Sequence, residues 1–430
     1  MVSIEEEYAS RTRKSKELYA EARKVIPGGV THNTRYFEPY PFFTASAKGS
    51  KVVDVDGNVY VDYWIGHGSL IFGHAYPPVV KAVKEQVEKG SHYGTPHELE
   101  VALAKQVVKM VPNAQMVRFP NSGTEAGLYV IRTARGYTKR TKIAKFAGGW
   151  HGGYDAVHVG VKPPYKLGSE GIDRASVENT LILPYNGLEA VERAIKGENL
   201  AAVIVEPVLG GGGAVAAEKE FLKGLRELCT ETQTILVFDE VITGFRLAPG
   251  GAEEYFSVVP DLVMFGKILG GGFPIGGIAG PREIMERLDI VSHKRDLIYQ
   301  GGTFCGNPIT MTAGLTTLRL LEDGKVNDYI NDATARMKDE VRATFEKRNI
   351  PVQVTGEGSI FCAHFTPNSV RNSTDVWNAD LELQRKYHLY LIAHGILNFP
   401  HHMGLVSYVH KKDDFDKLVH ETEDFVKTLS

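Results

Sequence analysis

Three stretches decide the fold: LAAVIVEP at 200–207, TILVFDEV at 234–241 and DLVMFGKILGGG at 261–272. Each is a run of four to six mainly β-branched or aromatic residues that breaks off at an ionisable side chain. Runs this short and this continuously apolar are strands buried on both faces. The amphipathic segment FLKGLRELCTE at 221–231 makes the first two runs a strand–helix–strand unit. Its right-handed crossover brings Glu206 and Asp239 to one edge of a parallel sheet. Lys267 closes a later run of that sheet. Ligands of such sheets sit outside the carboxyl ends of the strands, so these three residues are candidates for chemistry.

The same rhythm extends outward. MVRF at 116–119 and KIAKF at 142–146 are further short runs, and helix-length amphipathic stretches lie between them. This alternation predicts an α/β fold, with a mainly parallel sheet covered by helices, for a large domain over residues 76–320. Upstream, residues 4–26 read as one amphipathic helix ending at Pro27-Gly28-Gly29. SKVVDVDG and NVYVDYW, joined through Asp56-Gly57, then read as a hairpin. Residues 1–75 are therefore an N-terminal arm and β segment that joins a small domain. Residues 321–430 form a smaller α+β domain: a charged helix near 326–348, the strand pair VQVTGEGSIFCAHF, a helix near 375–394, LVSYVH and a closing helix. No linker separates the parts, so they touch and enclose a cleft.

Composition excludes several classes. The chain has 430 residues, 43% hydrophobic and 23% charged, with 49 Lys+Arg against 52 Asp+Glu for a formal charge of −3. That is globular, without the basic footprint of a nucleic-acid partner. No apolar run approaches a membrane span and the charged N-terminus does not resemble a signal peptide. Three distant cysteines (Cys229, Cys305, Cys362) point to a reducing, cytoplasmic location. No histidine pair has metal-ligand spacing, so no metal site is expected. The 45 glycines gather in clusters, where backbone approaches something closely.

Four features specify a ligand together. Lys267, between Gly266 and Gly270–Gly272, is placed to be a desolvated amine nucleophile. MVRF runs into NSGTEA, a strand meeting a helix start at Ser122, Gly123 and Thr124. Such a start offers free N–H groups to an anion, although the same residues also serve as an ordinary cap. GGWHGG at 148–153 sets Trp150 and His151 in a tight turn where a ring can lie on a planar ligand. Asp239 is placed to pair with a cationic ring nitrogen. An anion cup, a stacking ring, an aspartate and an amine describe pyridoxal phosphate, with pyridoxamine phosphate as its alternate form.

NSGTEA, FDEVITGFR, FGKILGGG and GGTFCGNP, in this order, resemble the class III, fold-type I pyridoxal-phosphate aminotransferases over nearly the whole chain. The resemblance implies that Lys267 bonds the cofactor and shuttles a proton, and that Asp239 pairs with its ring nitrogen. It implies that Val241 and Trp150 pack on opposite ring faces, with His151 and Glu206 also on the cofactor. Ser122, Gly123 and Thr124 would hold the phosphate with Thr303 from a second subunit, in a homodimer with shared active sites. PGGVTHNTRYF at 27–37 resembles the glutamate-1-semialdehyde 2,1-aminomutase branch and places Arg35 on a substrate carboxylate. That branch transfers an amino group within one small amino acid. Three departures separate this chain from it: Gly66-His67-Gly68 for Ser-Trp-Gly, LGGGG after VEPV, and PHHMG near the C-terminus. They put His67 and His402 at substrate positions. EPYPFF and GSIFCAHF resemble β-amino-acid aminotransferases, so transamination of a β- or ω-amino acid with a 2-oxo acid is the alternative, followed by racemisation. A non-catalytic pyridoxal-phosphate binder has no need of Lys267, Asp239 and Arg35 together. Were His401 and His402 in an extended segment, only one would reach the cleft.

Overall fold

The computed structural model describes residues 3–429. Its centre is a seven-stranded sheet of β1 (Met116–Arg118), β2 (Lys142–Phe146), β3 (Thr180–Leu183), β4 (Leu200–Val205), β5 (Ile235–Asp239), β6 (Leu262–Phe265) and β7 (Gly277–Gly280). The spatial order is β1-β7-β6-β5-β4-β2-β3. β2 to β6 pair in parallel, and β7 alone runs antiparallel to both neighbours. β7 escapes a reading by hydrophobic runs because its residues are Gly-Ile-Ala-Gly.

Both faces of the sheet are covered, for the reason its apolar runs suggest. Val203, Val205, Leu236 and Phe238 pack with Phe221, Leu225 and Leu228 of the helix Lys219–Glu231. Their neighbours Ala202, Ile204, Ile235 and Val237 pack on the other face with Ala126, Val130 and Ala134 of the helix Gly123–Thr138. Alternate residues of one strand thus feed two cores.

The hairpin Lys51–Asp54 with Val59–Asp62 is present, and Ile396–Leu397 from the C-terminal region adds in parallel to its second strand. Gln353–Thr355, Ile360–His364 and Gly404–Leu405 form a small antiparallel sheet. The helices Lys325–Glu346, Leu381–Ala393 and Lys412–Thr428 accompany it. Two helices expected as single ones are divided. Residues 4–26 form Ile4–Arg11 and Arg13–Val25, because Thr12 turns its hydroxyl onto the Tyr8 carbonyl at 2.8 Å and leaves helical backbone. Residues 375–394 form Ser373–Trp377 and Leu381–Ala393, the second capped by Asp380, whose carboxylate accepts from the Leu383 N–H at 2.9 Å. Residues 400–402 form a turn, with His401 in left-handed backbone at φ 58°, and are not extended. Among the described residues no helix is long and apolar enough to cross a membrane.

Candidate active site

The carboxyl ends of β4, β5 and β6 meet at one edge of the sheet and carry Glu206, Asp239 and Lys267. Lys267 has left-handed backbone, φ 45°, at the start of the short helix Lys267–Gly270. Strain of this kind persists where surrounding packing over-determines it, commonly at functional sites. Burial lowers the Lys267 amine below its ordinary value, against the opposing pull of Asp239 and Glu206 and with help from the Arg246 cation. Its Nζ takes no hydrogen bond from the described residues, which leaves the amine available as a nucleophile.

Asp239 is buried and held on both oxygens. Oδ1 accepts the Val241 N–H at 3.1 Å and Oδ2 lies 2.7 Å from His151 Nδ1. Burial lowers His151, which favours the neutral ring, whose Nδ1–H then donates to the Asp239 carboxylate. His151 Nε2 is buried without a partner. Glu206 accepts the Trp150 N–H at 2.7 Å and the Gly210 N–H at 2.9 Å, fastening two loops over the strand ends. Burial first, and Asp239 second, push its carboxyl up to about 8.

The helix Gly123–Thr138 begins beside these groups. Ser122 caps it by accepting the Glu125 N–H at 3.1 Å, and the Gly123 and Thr124 N–H groups have no acceptor among the described residues. Val241 lies between Gly123 and Gly266: a Cβ on either glycine would stand 3.2 Å from a Val241 methyl. The anion cup, the valine and the residue before Lys267 are therefore in contact. Gly152, at φ +116°, brings the GGWHGG turn against the helix start, where a Cβ would lie 2.9 Å from Thr124 Cα. Trp150 is 43% exposed, its ring edge-on to His158 at 5.0 Å.

Of Arg35, His67 and His402, the residues expected at the substrate, Arg35 is exposed and donates to Thr31 Oγ1 at 3.0 Å. His67 is half-buried, with its ring against Trp64 at 4.7 Å; His402 packs on the same indole at 5.3 Å. His401 turns away to Gln384 Oε1 at 3.2 Å. The two rings part as the sequence anticipated, but a turn and not an extended segment separates them. At Gly211 a Cβ would meet nothing within 4 Å, so the missing side chain there leaves open space. Thr303 lies in an exposed loop and forms no hydrogen bond among the described residues.

Four residues of this region went unread in the sequence. Lys145, wholly buried in β2, donates to the carbonyls of Gly149, Val157 and Val159 at 2.8, 3.1 and 2.7 Å. It fastens the Trp150–His151 turn from below, and burial brings its amine down to about 7. The only signal was a lysine inside an otherwise apolar run. His32, Trp64 and Arg246 went unread because contacts that set their roles, His32 with His67, Trp64 with His402 and Arg246 with Gly68 and Val406, join distant parts of the chain.

The family model of the class-III aminotransferases matches residues 33–425. The chain belongs to this family. Among curated class-III relatives, a glutamate-1-semialdehyde 2,1-aminomutase from Methanocaldococcus jannaschii is 44% identical, over 98% of this chain and all of its own. An omega-transaminase from Sphaerobacter thermophilus superposes with a TM-score of 0.91 at 34% identity, covering 96% of this chain and 97% of its own. A glutamate-1-semialdehyde aminomutase from Pseudomonas aeruginosa PAO1 also gives 0.91, at 26% identity over 99% and 96% of the two chains; a second structure of it contains PMP. The architecture is thus the fold-type I arrangement of this family, and this class-III chain is an enzyme.

The residues also fit the cofactor. The site offers unbonded helix N–H groups for a phosphate and a buried aspartate, held by His151 and the Val241 N–H, for a ring nitrogen. It also has a glycine-walled slot beside Val241 and an amine without a partner.

Proposed function

We propose that this class-III enzyme is an aminomutase of the glutamate-1-semialdehyde 2,1-aminomutase kind, moving an amino group between two carbons of one carboxylate-bearing amino acid. Its cofactor is pyridoxal phosphate, with pyridoxamine phosphate as the alternate form. The observation that carries the reading is Lys267, with no hydrogen-bond partner, at the same sheet edge as Asp239. Near-full-length identity of 44% to a relative of that name supports the choice of reaction.

When bound, pyridoxal phosphate supplies an aldehyde for amine exchange and an electron sink for the carbanion. Lys267 Nζ is the amine that would hold it and, once displaced by the substrate's amine, would move a proton between a substrate carbon and the cofactor carbon through which the amino group is exchanged. Asp239, oriented by His151 Nδ1–H and the Val241 N–H, would favour a protonated ring nitrogen. Ser122 and the N–H groups of Gly123 and Thr124 orient the phosphate, with Thr303 of a second copy completing the cup in a homodimer. Trp150 and Val241 cover the two ring faces, while Glu206 holds the Trp150 and Gly210 loops. Arg35, His67 and His402 bind substrate at the rim. Three free cysteines fit a reducing compartment, and the cytoplasm is part of this reading.

Transamination of a β- or ω-amino acid with a 2-oxo acid is the second reading. It is favoured by the 34% identity to a solved omega-transaminase, against 26% to a solved aminomutase, and by the open space at Gly211. The decisive experiment supplies glutamate 1-semialdehyde to the purified holoenzyme with no oxo acid. Steady formation of 5-aminolevulinate supports the mutase. Turnover only after a 2-oxo acid is added, with a β- or ω-amino acid as donor, selects the second reading.

A further inference from the structure

The Gly66-His67-Gly68 turn carries a polar centre that the cofactor chemistry does not use. His67 has left-handed backbone, φ 59°, which a non-glycine residue holds only where its surroundings enforce it. Here Arg246 Nη2 donates to the Gly68 carbonyl at 2.6 Å, and the His67 ring lies against Trp64. His67 Nε2 stands 3.1 Å from His32 Nδ1, and His32 Nε2 stands 3.4 Å from Thr34 Oγ1.

A hydrogen bond between two imidazoles requires a proton on one nitrogen and a lone pair on the other, so the pair is not doubly charged. Burial, then His32, Arg35, Lys267 and His402, bring His67 down to about 4, and burial lowers His32 as well. Both rings are neutral at pH 7. With Nε2 occupied by His32, Nδ1 is the His67 nitrogen left for a ligand. A Thr34 hydroxyl donating into His32 Nε2 puts the His32 proton on Nδ1 and the His67 proton on Nδ1. The ring then offers a neutral N–H near the Arg35 guanidinium.

A further donor stands in the same place. The Trp64 indole is 8% exposed, lies between His67 and His402, and its Nε1–H is buried without an acceptor. The charged groups acting on His67 are all basic. Such a set suits an anionic oxygen ligand: the guanidinium takes one edge of a carboxylate, and the imidazole and indole N–H groups fit its remaining lone pairs.

We propose that His67, its tautomer held by His32, is a specificity-determining donor for the substrate carboxylate, acting beside Arg35 and the Trp64 indole. The inference rests on the reading of the site as one for a carboxylate-bearing amino acid with His67 at its rim, and it adds to that reading the group His67 binds, the tautomer it uses, and His32 and Trp64.

Glutarate, a dicarboxylate with no amino group to react, probes this subsite without turnover when titrated calorimetrically into the holoenzyme. The wild type should bind it, and His67→Leu and His32→Ala should each weaken binding about tenfold, the loss of one charge-assisted hydrogen bond. His67→Asn should restore most of the affinity, because asparagine tolerates left-handed backbone and sets an amide N–H near the position of Nδ1. Binding that is absent in the wild type, or unchanged in His67→Leu and His32→Ala, overturns the proposal. So does a loss in His67→Leu that His67→Asn does not restore, since it assigns the effect to packing of the turn. The two readings fail separately. Glutarate binding that depends on His67, in a protein that converts no carboxylate amino acid, refutes the aminomutase and keeps the subsite. Mutase turnover with binding indifferent to His67 does the reverse.

Discussion

At the scale of single residues, the site is governed by what burial does to charge. Lys267 is an amine whose hold on its proton is weakened by desolvation, with no carboxylate bonded to it among the described residues. Replacing it with alanine should lower turnover by about 10³-fold or more, the scale of a lost general acid–base group. Added methylamine should recover part of the rate in a single-turnover assay, which a folding defect would not allow. Glu240, next to Asp239 in sequence, shows the same physics outside the reaction. It is buried and accepts the Ala252 N–H at 2.5 Å, the Glu253 N–H at 3.2 Å and the Thr243 hydroxyl at 3.1 Å. Burial still raises its carboxyl to about 7. A carboxyl raised on folding binds its proton more tightly in the native state. Its contribution is therefore complete below the unfolded value and is lost as pH rises through the folded one. Between about pH 5 and pH 8, wild-type stability should fall relative to Glu240→Gln by up to about 3 kcal/mol. Urea unfolding of both proteins at the two pH values measures this, and parallel curves would mean that Glu240 is ionised throughout.

At the scale of elements, the cup is made where a helix start meets a loop, and both are set by small residues. The N–H groups of Gly123 and Thr124 are free because the first turn of any helix lacks acceptors. They are usable because Gly152 lets the Trp150–His151 turn lie against Thr124. Gly152→Ala puts a Cβ 2.9 Å from Thr124 Cα at a backbone φ of +116°. The strain, about 1–3 kcal/mol, should raise the dissociation constant for pyridoxal phosphate about tenfold or more in equilibrium dialysis. An unchanged constant would separate the turn from the cup. The strands ending at Glu206, Asp239 and Lys267 were legible in the sequence because continuous apolar runs admit few other structures. β7 was not legible, since Gly-Ile-Ala-Gly has no periodicity, and its place comes from pairing with β6 and β1. The division of residues 4–26 at Thr12 was hidden as well, because amphipathic spacing continues across it.

At the scale of the whole molecule, one buried cation joins the regions around the cleft. Arg246 donates to the Gly68 carbonyl, to Ser359 Oγ at 3.2 Å and to the Val406 carbonyl at 3.3 Å. It thereby ties the His67 turn and the C-terminal region to the segment after β5. No carboxylate pairs with it among the described residues, and burial lowers it to about 9, so it is charged at pH 7. Arg246→Gln should cost about 2–4 kcal/mol, because buried carbonyls are left without donors. It should also raise KM, through the freed His67 turn, and lower kcat, because the Arg246 cation helps lower the Lys267 amine and Gly68 lies against the Lys267 side chain. Denaturant unfolding with steady-state kinetics measures these effects, and an unchanged KM would separate Arg246 from the substrate turn.

The chain's order of apolar runs, glycines and strand-end charges was sufficient by itself for the α/β class, for Lys267 and Asp239, and for the helix start that faces them. Those features are local: a strand, its terminal residue and the following turn are neighbours in sequence, and the crossover rule places them in space. Tertiary structure alone decided that Lys145 sits beneath the Trp150 turn, that His32 meets His67, and that Arg246 reaches Gly68 and Val406. Each joins segments that no periodicity relates, and each is a polar group whose burial becomes tolerable only when distant parts of the chain bring it partners.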